Sequence, residues 1–367
     1  MKAMSREDLA EQSLVPLDEI ERLEDTGEVR SIARLSRLAR YFAVDEDALR
    51  RGVRQQSHEP AVFFRQHGAP DFFEDDRAIL ATQVHAGAAL VAANLALGLA
   101  KDRKRRFVAK RPGSIEYQDG YEAARLVRKE LAQPSGPLLD LQDVIEGEFE
   151  TPITTQILQS SRVEAVTVKH PQGDGAVIVL NATKIVPDAG SPTFRRTLAH
   201  ELAHVLLDLD EAPLGYILDH APQKSSSRNP DKPSTEQRAD AFAAELIIPT
   251  AGLLRLHGKP SLPIALDRAR RLVEETEREF LAPRHLTIYH LFNKGYLDEN
   301  TQELLSKEPL PNLTSSVIRW RPLNHGYPQI VVDRLRDAHE RYLLTAGRVR
   351  ELLALGVRDP LPWESQE

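Results

Sequence analysis

Residues 197–208 read TLAHELAHVLLD, and the fold and chemistry of the chain are best approached from this stretch. His200 and His204 lie four residues apart, and Glu201 directly follows the first of them. On an α-helix, residues four positions apart project from the same face. The pattern therefore predicts a helix that presents two imidazoles to one point, with a carboxylate beside the first imidazole.

Two imidazoles on one helical face can bind a common Zn²⁺ ion. Glu201 can take a proton from an attacking water, which is the chemistry of the HExxH arrangement in metal-dependent hydrolases. The alternative interpretation is that both histidines occupy a partly exposed helix face without any ligand. The chain has 12 histidines, so an HExxH pattern also arises by chance, and the metal hypothesis depends on a third ligand.

A second helix, predicted over TEQRADAFAAELII (235–248), offers that ligand. Glu236 is the candidate, although a solvated glutamate is also common in a first helical turn. Asp240 lies one turn further on the same face, where it can accept the N–H of a ligating histidine. Glu245 is a rival carboxylate, but it is five residues beyond Asp240 and faces elsewhere. The helix also has an apolar face that can pack beneath the site: Ala239, Phe242, Ala243 and Leu246.

Composition narrows the classes of function. The chain has 367 residues, a net charge of −7 and no cysteine, so His, Asp or Glu must hold any metal. The negative charge argues against a general nucleic-acid coat, which needs a positive surface.

The N-terminal stretch MKAMSREDLAEQ lacks the apolar core of a secretion signal. The apolar run at 86–100 is shorter than the roughly 20 residues that span a bilayer. We therefore predict a cytoplasmic protein without membrane contact, in which this run forms a buried helix.

Apolar periodicity and turn residues predict an α+β chain of four regions. Residues 1–52 form a small helical unit, 53–112 a helical connecting region, 113–295 a mixed α/β domain, and 296–367 a helical C-terminal region. In the third region, RVEAVTVKH (162–170) and AVIVLN (176–181) predict strands of a small sheet, and AVIVLN is expected to pair with an extended substrate. Ser191 and Pro192 suit the start of the histidine helix.

The first region resembles an XRE-type, phage-repressor-like helix-turn-helix domain. The resemblance covers about 45 residues and follows the order LA…(I/L)ERLE.G…L..LA..F.VD...L within residues 5–50. The family normally has a further helix before the LA segment, where only four residues precede Ser5. The stretch expected to enter the major groove, SLVPLDEIERLED (13–25), is acidic, whereas groove readers use Arg, Lys, Asn and Gln. DNA binding and a degenerate module that binds protein instead both stay open.

TLAHELAHVLLD followed by EQRADAFAAELIIP resembles the ImmA/IrrE family of metallo-endopeptidases over roughly residues 120–300. This resemblance implies a zincin-like fold, with His200, His204 and Glu236 as metal ligands and Glu201 as the catalytic residue. The metal is expected to be Zn²⁺, and Mn²⁺ or another divalent ion fits the same ligands. Because members of the family cleave XRE-type repressors, the resemblance implies a site-specific endopeptidase. Its expected substrate is a repressor-type regulatory protein in stress response or mobile-element control.

Such a peptidase needs a donor for the oxyanion of its transition state. Tyr216 and His220, expected in a loop after the histidine helix, are the candidates. A different class of function is a DNA- or protein-binding transcriptional regulator whose peptidase-like domain senses a metal or a partner without turnover. Glu201 favours the hydrolase, because a binding-only site has no need of that carboxylate.

Overall fold

The computed structural model describes residues 6–26, 31–41, 74–99, 116–159, 163–169, 175–184, 191–208, 216–220, 234–309, 326–356 and 359–364. The N-terminal part holds three helices, α1 (Arg6–Ser13), α2 (Leu17–Thr26) and α3 (Ile32–Tyr41). They enclose a small core of their own, formed by Leu9, Val15, Ile20 and Leu38. The predicted helical unit is therefore present, and its XRE-like character stays a prediction.

The other helices of the described ranges pack with a small sheet or with one another. In chain order they are α4 (Glu74–Ala96), α5 (Glu116–Glu130), α6 (Leu141–Asp143, continued by a π-helical turn Val144–Glu148), α7 (Pro192–Leu207), α8 (Ser234–Ile247), α9 (Thr250–His257), α10 (Leu266–Phe280), α11 (Arg284–Asn293), α12 (Glu299–Ser306), α13 (Gln329–Glu340) and α14 (Ala346–Leu352). This mixed architecture confirms the predicted α+β class.

The sheet has four strands in the order β1-β3-β2-β4: β1 (Ile153–Gln156), β2 (Val163–Lys169), β3 (Ala176–Asn181) and β4 (Tyr216–His220). β1 runs parallel to β3, and the other two pairs are antiparallel. AVIVLN is β3, which has a neighbour on each side, so the expected pairing of this strand with a substrate is wrong. Of the described strands, β1 and β4 form the edges.

Both faces of the sheet are covered by helices. On β3, Ile178 and Leu180 enter a core built with α5, α7, α8 and α10, whereas Val177 and Val179 enter a second core built with α4 and α13. Side chains alternate between the faces of a strand, so a strand covered on both sides is apolar throughout. The second core joins helices from the predicted connecting and C-terminal regions onto one sheet face, and the domain boundaries stay a prediction.

The long helix α4 contains the apolar run noted in the sequence. Its window Ile79–Ala96 is long and apolar enough to cross a membrane by length and composition, a property that no other described helix shares. Half of that window is buried inside the structure, and Leu80, Leu90 and Ala93 belong to the second core. The packing matches the predicted buried helix.

The crossing of α5 and α8 is tight at Gly120. A Cβ atom at this position would lie 2.2 Å from the carbonyl oxygen of Arg238 on α8. We expect Gly120→Ala to push α8 away and to destabilise the fold by about 1–3 kcal/mol, as overpacking does. Urea unfolding measures the loss. Gly147→Ala is the control, because a Cβ there meets no atom within 4 Å, and equal stability of the two variants would contradict the expectation.

Candidate metal centre

The histidine helix α7 is held at its N-terminal half by buried contacts. It begins at Pro192 after Ser191, as predicted, although the Ser191 side chain makes no capping hydrogen bond. One turn in, the guanidinium of Arg195 donates to three backbone carbonyls, those of Leu138, Phe280 and Leu281, at 2.5–2.7 Å. Arg195 is 2% exposed, so these bonds satisfy a charge that has almost no access to water. The register and direction of α7 are thereby set by its neighbours.

The side chains of His200, His204 and Glu236 converge at one point between α7 and α8. The two histidine Nε2 atoms are 3.1 Å apart, and the Nε2 atoms of His200 and His204 lie 3.3 Å from Oε2 and Oε1 of Glu236, respectively. Both histidines are fully buried, and Glu236 is partly buried. Among the described residues, these three form the one group of His, Asp and Glu side chains arranged so that they could hold a metal ion.

The spacing of these atoms fits a small tetrahedral cation. Zn²⁺ binds nitrogen and oxygen at roughly 2.0–2.1 Å, which places neighbouring tetrahedral ligand atoms roughly 3.3 Å apart. The two Nε2 atoms are 3.1 Å apart and each lies 3.3 Å from a different oxygen of Glu236, which is close to that value, and ligand atoms taken one from each residue all lie within 4.8 Å of one another. Two imidazoles and one carboxylate also form a ligand set typical of catalytic zinc, where three protein ligands leave the fourth position to water or substrate. The residues present therefore fit the metal that the sequence predicts.

Each histidine whose Nε2 atom faces the convergence point has a hydrogen-bond partner at the Nδ1 atom on the other side of its ring. The Nδ1 atom of His200 lies 3.1 Å from an oxygen of Asp240, the residue that the sequence places in this role. The Nδ1 atom of His204 lies 2.7 Å from an oxygen of Asp208, which sequence reasoning missed. A carboxylate at Nδ1 accepts a hydrogen bond from the ring N–H at that position. The lone pair of Nε2 is then available to bind a metal. Asp208 is four residues after His204, so the helical spacing that pairs the two histidines also points to it.

Glu201 is buried beside the two histidines, with no exposed surface. Its Oε2 atom accepts a short hydrogen bond from the hydroxyl of Thr167 on β2. Thr167 lies two residues after Ala165, whose side chain is in the core on the α7 side of the sheet, so β2 presents the hydroxyl to that helix. Sequence reasoning missed this contact; periodicity indicates that Thr167 faces inward but does not indicate which residue its hydroxyl meets.

The charge balance at the convergence point favours an ionised Glu236. Burial raises the pKa of this carboxyl, but hydrogen bonds and charge interactions with His200 and His204 outweigh burial and lower its pKa below the ordinary range. An ionised carboxylate is the form that binds a cation.

Glu245, the rival carboxylate, belongs to a separate buried cluster. Its oxygens lie 2.8 Å from Nζ of Lys294, 2.7 Å from the hydroxyl of Thr250 and 3.8 Å from Nε2 of His290. Burial raises the pKa of Glu245, but the nearby His290 and Lys294 outweigh it and lower the pKa to about 2. Glu245 thus contacts residues of α9 and α11, which agrees with the prediction that it faces elsewhere than Asp240.

The buried His290 makes the stability of the fold depend on pH. Burial lowers the pKa of His290 from 6.5 to about 4. Between these values the unfolded chain binds a proton that the folded chain does not, so stability falls as pH falls from 6.5 to about 4. The loss from this residue is at most roughly 3 kcal/mol. We expect His290→Leu to flatten this slope in urea unfolding of metal-free protein, and an unchanged slope would contradict the assignment.

Tyr216 and His220, the candidate oxyanion donors, were expected in a loop. Their backbones instead form the two ends of β4, which pairs with β2, so that expectation is corrected. The strand places Ile217 opposite Thr167. The side chains of Tyr216 and His220 lie outside what the structure describes, and their role stays a prediction.

The Thr167 hydroxyl is expected to matter for turnover and not for metal binding. Thr167→Val removes the donor to Glu201, and the loss of a hydrogen bond to a charged group is typically about 1.5–3 kcal/mol, or roughly 10–100-fold in rate. Thr167→Ser keeps the hydroxyl and should restore most of the rate. Peptide-cleavage kinetics and metal content check both variants. Equal turnover of the valine and serine variants, at equal metal content, would exclude this role.

Comparison with protein-family models gives a match within the chain. Residues 158–262 match the family model of Peptidase_M78, described as an IrrE N-terminal-like domain. The matched segment includes β2, β3, α7, β4, α8 and α9, and therefore all three converging side chains together with Glu201. A search of curated proteins found no match to the chain.

Proposed function

We propose that this chain, which carries a domain of the M78 peptidase family at residues 158–262, is a zinc-dependent, site-specific endopeptidase. The proposed substrate is a repressor-type regulatory protein that controls a stress response or a mobile element, and the proposed location is the cytoplasm. The observation that carries this proposal is the convergence of His200, His204 and Glu236 next to the buried carboxylate of Glu201.

In the proposed mechanism, His200, His204 and Glu236 would hold the metal, and Asp240 and Asp208 would fix the two imidazoles. A divalent ion such as Zn²⁺ bound there would supply Lewis-acid chemistry to a scissile carbonyl and to water. Glu201 takes the proton of the attacking water and delivers it to the leaving amine. Thr167 holds one oxygen of Glu201, so that the carboxylate keeps a single orientation during both transfers.

An extended substrate is proposed to bind along β4. This strand lies at one edge of the sheet and pairs with β2, whose Thr167 contacts Glu201. Edge strands offer backbone donors and acceptors to an incoming peptide. A peptide on β4 would therefore run close to the proposed general base. β3 cannot bind the peptide in this way, because it is already paired with β1 on one side and β2 on the other.

The experiment is incubation of the purified chain with the repressor encoded beside it, with and without chelator, followed by mass spectrometry of the fragments. We expect one specific cut that requires metal. Absence of cleavage with metal-loaded protein, together with tight, sequence-dependent DNA binding in a shift assay, would favour the regulator alternative, in which α1–α3 bind DNA and the metal domain is a sensor.

A further inference from the structure

Two chains of hydrogen bonds and ion pairs, one buried and one partly buried, connect α7 to α8 behind the candidate metal ligands. In the first, Arg196 on α7 lies 3.0 Å from Asp240 on α8, which accepts from His200. In the second, the donor is on the opposite helix: Arg238 on α8 contacts Asp208 at the end of α7, and Asp208 accepts from His204. Each histidine thus contacts an aspartate through its Nδ1 atom. Each aspartate in turn pairs with an arginine across the gap between the two helices.

The Asp208–Arg238 pair is the more deeply buried of the two. The side chains of Asp208 and Arg238 are 3% and 6% exposed, whereas those of Arg196 and Asp240 are 16% and 31% exposed. The two oxygens of Asp208 serve different partners, since Oδ2 lies against Nδ1 of His204 and Oδ1 against the guanidinium. An ion pair with this little water access holds the carboxylate in one orientation, because rotation would leave a buried charge unpaired.

Arg238 also lies two residues after Glu236 on the same helix. The link from Arg238 through Asp208 therefore connects the helix that bears the carboxylate ligand to the ring of the second histidine ligand. A ligating histidine binds metal through the nitrogen opposite its hydrogen-bonded N–H.

We propose that Asp208, held by Arg238, is a positioning residue that fixes the ring of His204 with its Nε2 lone pair directed at the metal point and ties that ring to the Glu236 helix. This role rests on the proposed function for its consequence in metal binding. In metal-free protein the pair keeps the donor atoms at their binding separation, so the site is assembled before the metal arrives.

The test compares the unchanged full-length chain with two double variants, one at the Asp208–Arg238 pair and one at a control pair. The single variant Asp208→Ala is not used, because it removes the charge partner of the buried Arg238 and is expected to destabilise the domain. The double variant Asp208→Leu with Arg238→Met replaces both charges by apolar side chains of similar length, which buried ion pairs often tolerate. Its matched control is Glu277→Leu with Arg284→Met, a buried pair on α10 and α11, outside the two helices that carry the site.

Two readouts are used. Nitrogen-15 shifts of histidine rings in metal-free protein report which ring nitrogen of His204 carries the proton. Competition with a chromophoric chelator gives the Zn²⁺ affinity. We expect the Asp208/Arg238 variant to lose the Nδ1–H form of His204 and about 10–100-fold in Zn²⁺ affinity, as for residues that support a ligating histidine. The control should change neither.

An unchanged His204 form and an affinity within a factor of two of the original would overturn the proposal. A tenfold or greater affinity loss in the control pair would also overturn it, since any buried pair would then have the same effect. Failure of the unchanged chain to bind Zn²⁺ would overturn the proposed peptidase, while the ring shifts would still decide whether Asp208 positions His204.

Discussion

Glu201→Gln is expected to abolish peptide cleavage while leaving the metal in place. Glutamine keeps the size of the side chain but cannot accept the proton of an attacking water, and loss of a general base typically costs roughly 10²–10⁴-fold in rate. The converging ligand atoms of His200, His204 and Glu236 belong to other residues, so the bound metal should be retained. Cleavage of the repressor substrate and metal content per chain are the two measurements.

The control for this variant is Glu277→Gln. Glu277 is also a buried glutamate, with 1% exposure, but it lies on α10 and pairs with Arg284. It should retain full turnover per metal-loaded molecule. If Glu201→Gln still cleaved the substrate at the original rate, Glu201 would have no part in the proton transfer, and the proposed mechanism would need another base.

Glu236→Ala is expected to remove the metal and, with it, the activity. Glu236 supplies the only carboxylate among the three converging residues, and its removal leaves two imidazoles and no anionic side chain among them to bind a divalent cation. We expect the Zn²⁺ affinity to fall by more than the roughly 10–100-fold typical of residues that only support a ligand. Chelator competition and metal analysis of the purified protein measure the change.

Thr235→Ala provides the neighbouring control. Thr235 precedes Glu236 in the first turn of α8 and is also half-buried, so the variant reports any general disturbance of this helix start. It should bind metal as the unchanged chain does. Full metal occupancy in Glu236→Ala would mean that another group supplies the third ligand, and the assignment of Glu236 would be wrong.

The meeting of the histidines with Glu236 and Asp240 was accessible from sequence because it depends on helical periodicity. His200 and His204 share a face by their spacing, and so do Glu236 and Asp240. The prediction then needed only one tertiary contact, the packing of α8 against α7, which the apolar residues of α8 favour. The same spacing applied once more, from His204 to Asp208, would have found the second aspartate. The metal-binding role of these residues stays a prediction.

The short strands β1 and β4 were harder to predict from the sequence. β1 reads ITTQ and β4 reads YILDH, and neither has the sustained alternation or apolar run that identifies a strand. Their pairing is with strands distant in the chain, so no local signal marks it. AVIVLN contained a signal that was misread. Its first five residues are all apolar, and a strand that is apolar on both faces is one covered on both sides, which favours an internal position and not a substrate-binding edge.

The Thr167 contact with Glu201 depends on how β2 lies across α7. β2 precedes α7 by more than 20 residues, and the position of a strand beneath a helix is set by packing of the whole core. Periodicity predicts which strand residues face inward, but it does not predict which inward residue meets which helical one. Contacts of this kind are therefore found only in the folded structure.

The most direct test of the central claim is a crystal structure of the full chain loaded with Zn²⁺, with anomalous diffraction measured at the zinc edge. The account predicts one strong peak, roughly 2.0–2.2 Å from Nε2 of His200, Nε2 of His204 and a carboxylate oxygen of Glu236. Zinc bound elsewhere, or bound by the two histidines with Glu236 turned away and another acid in its place, would contradict it.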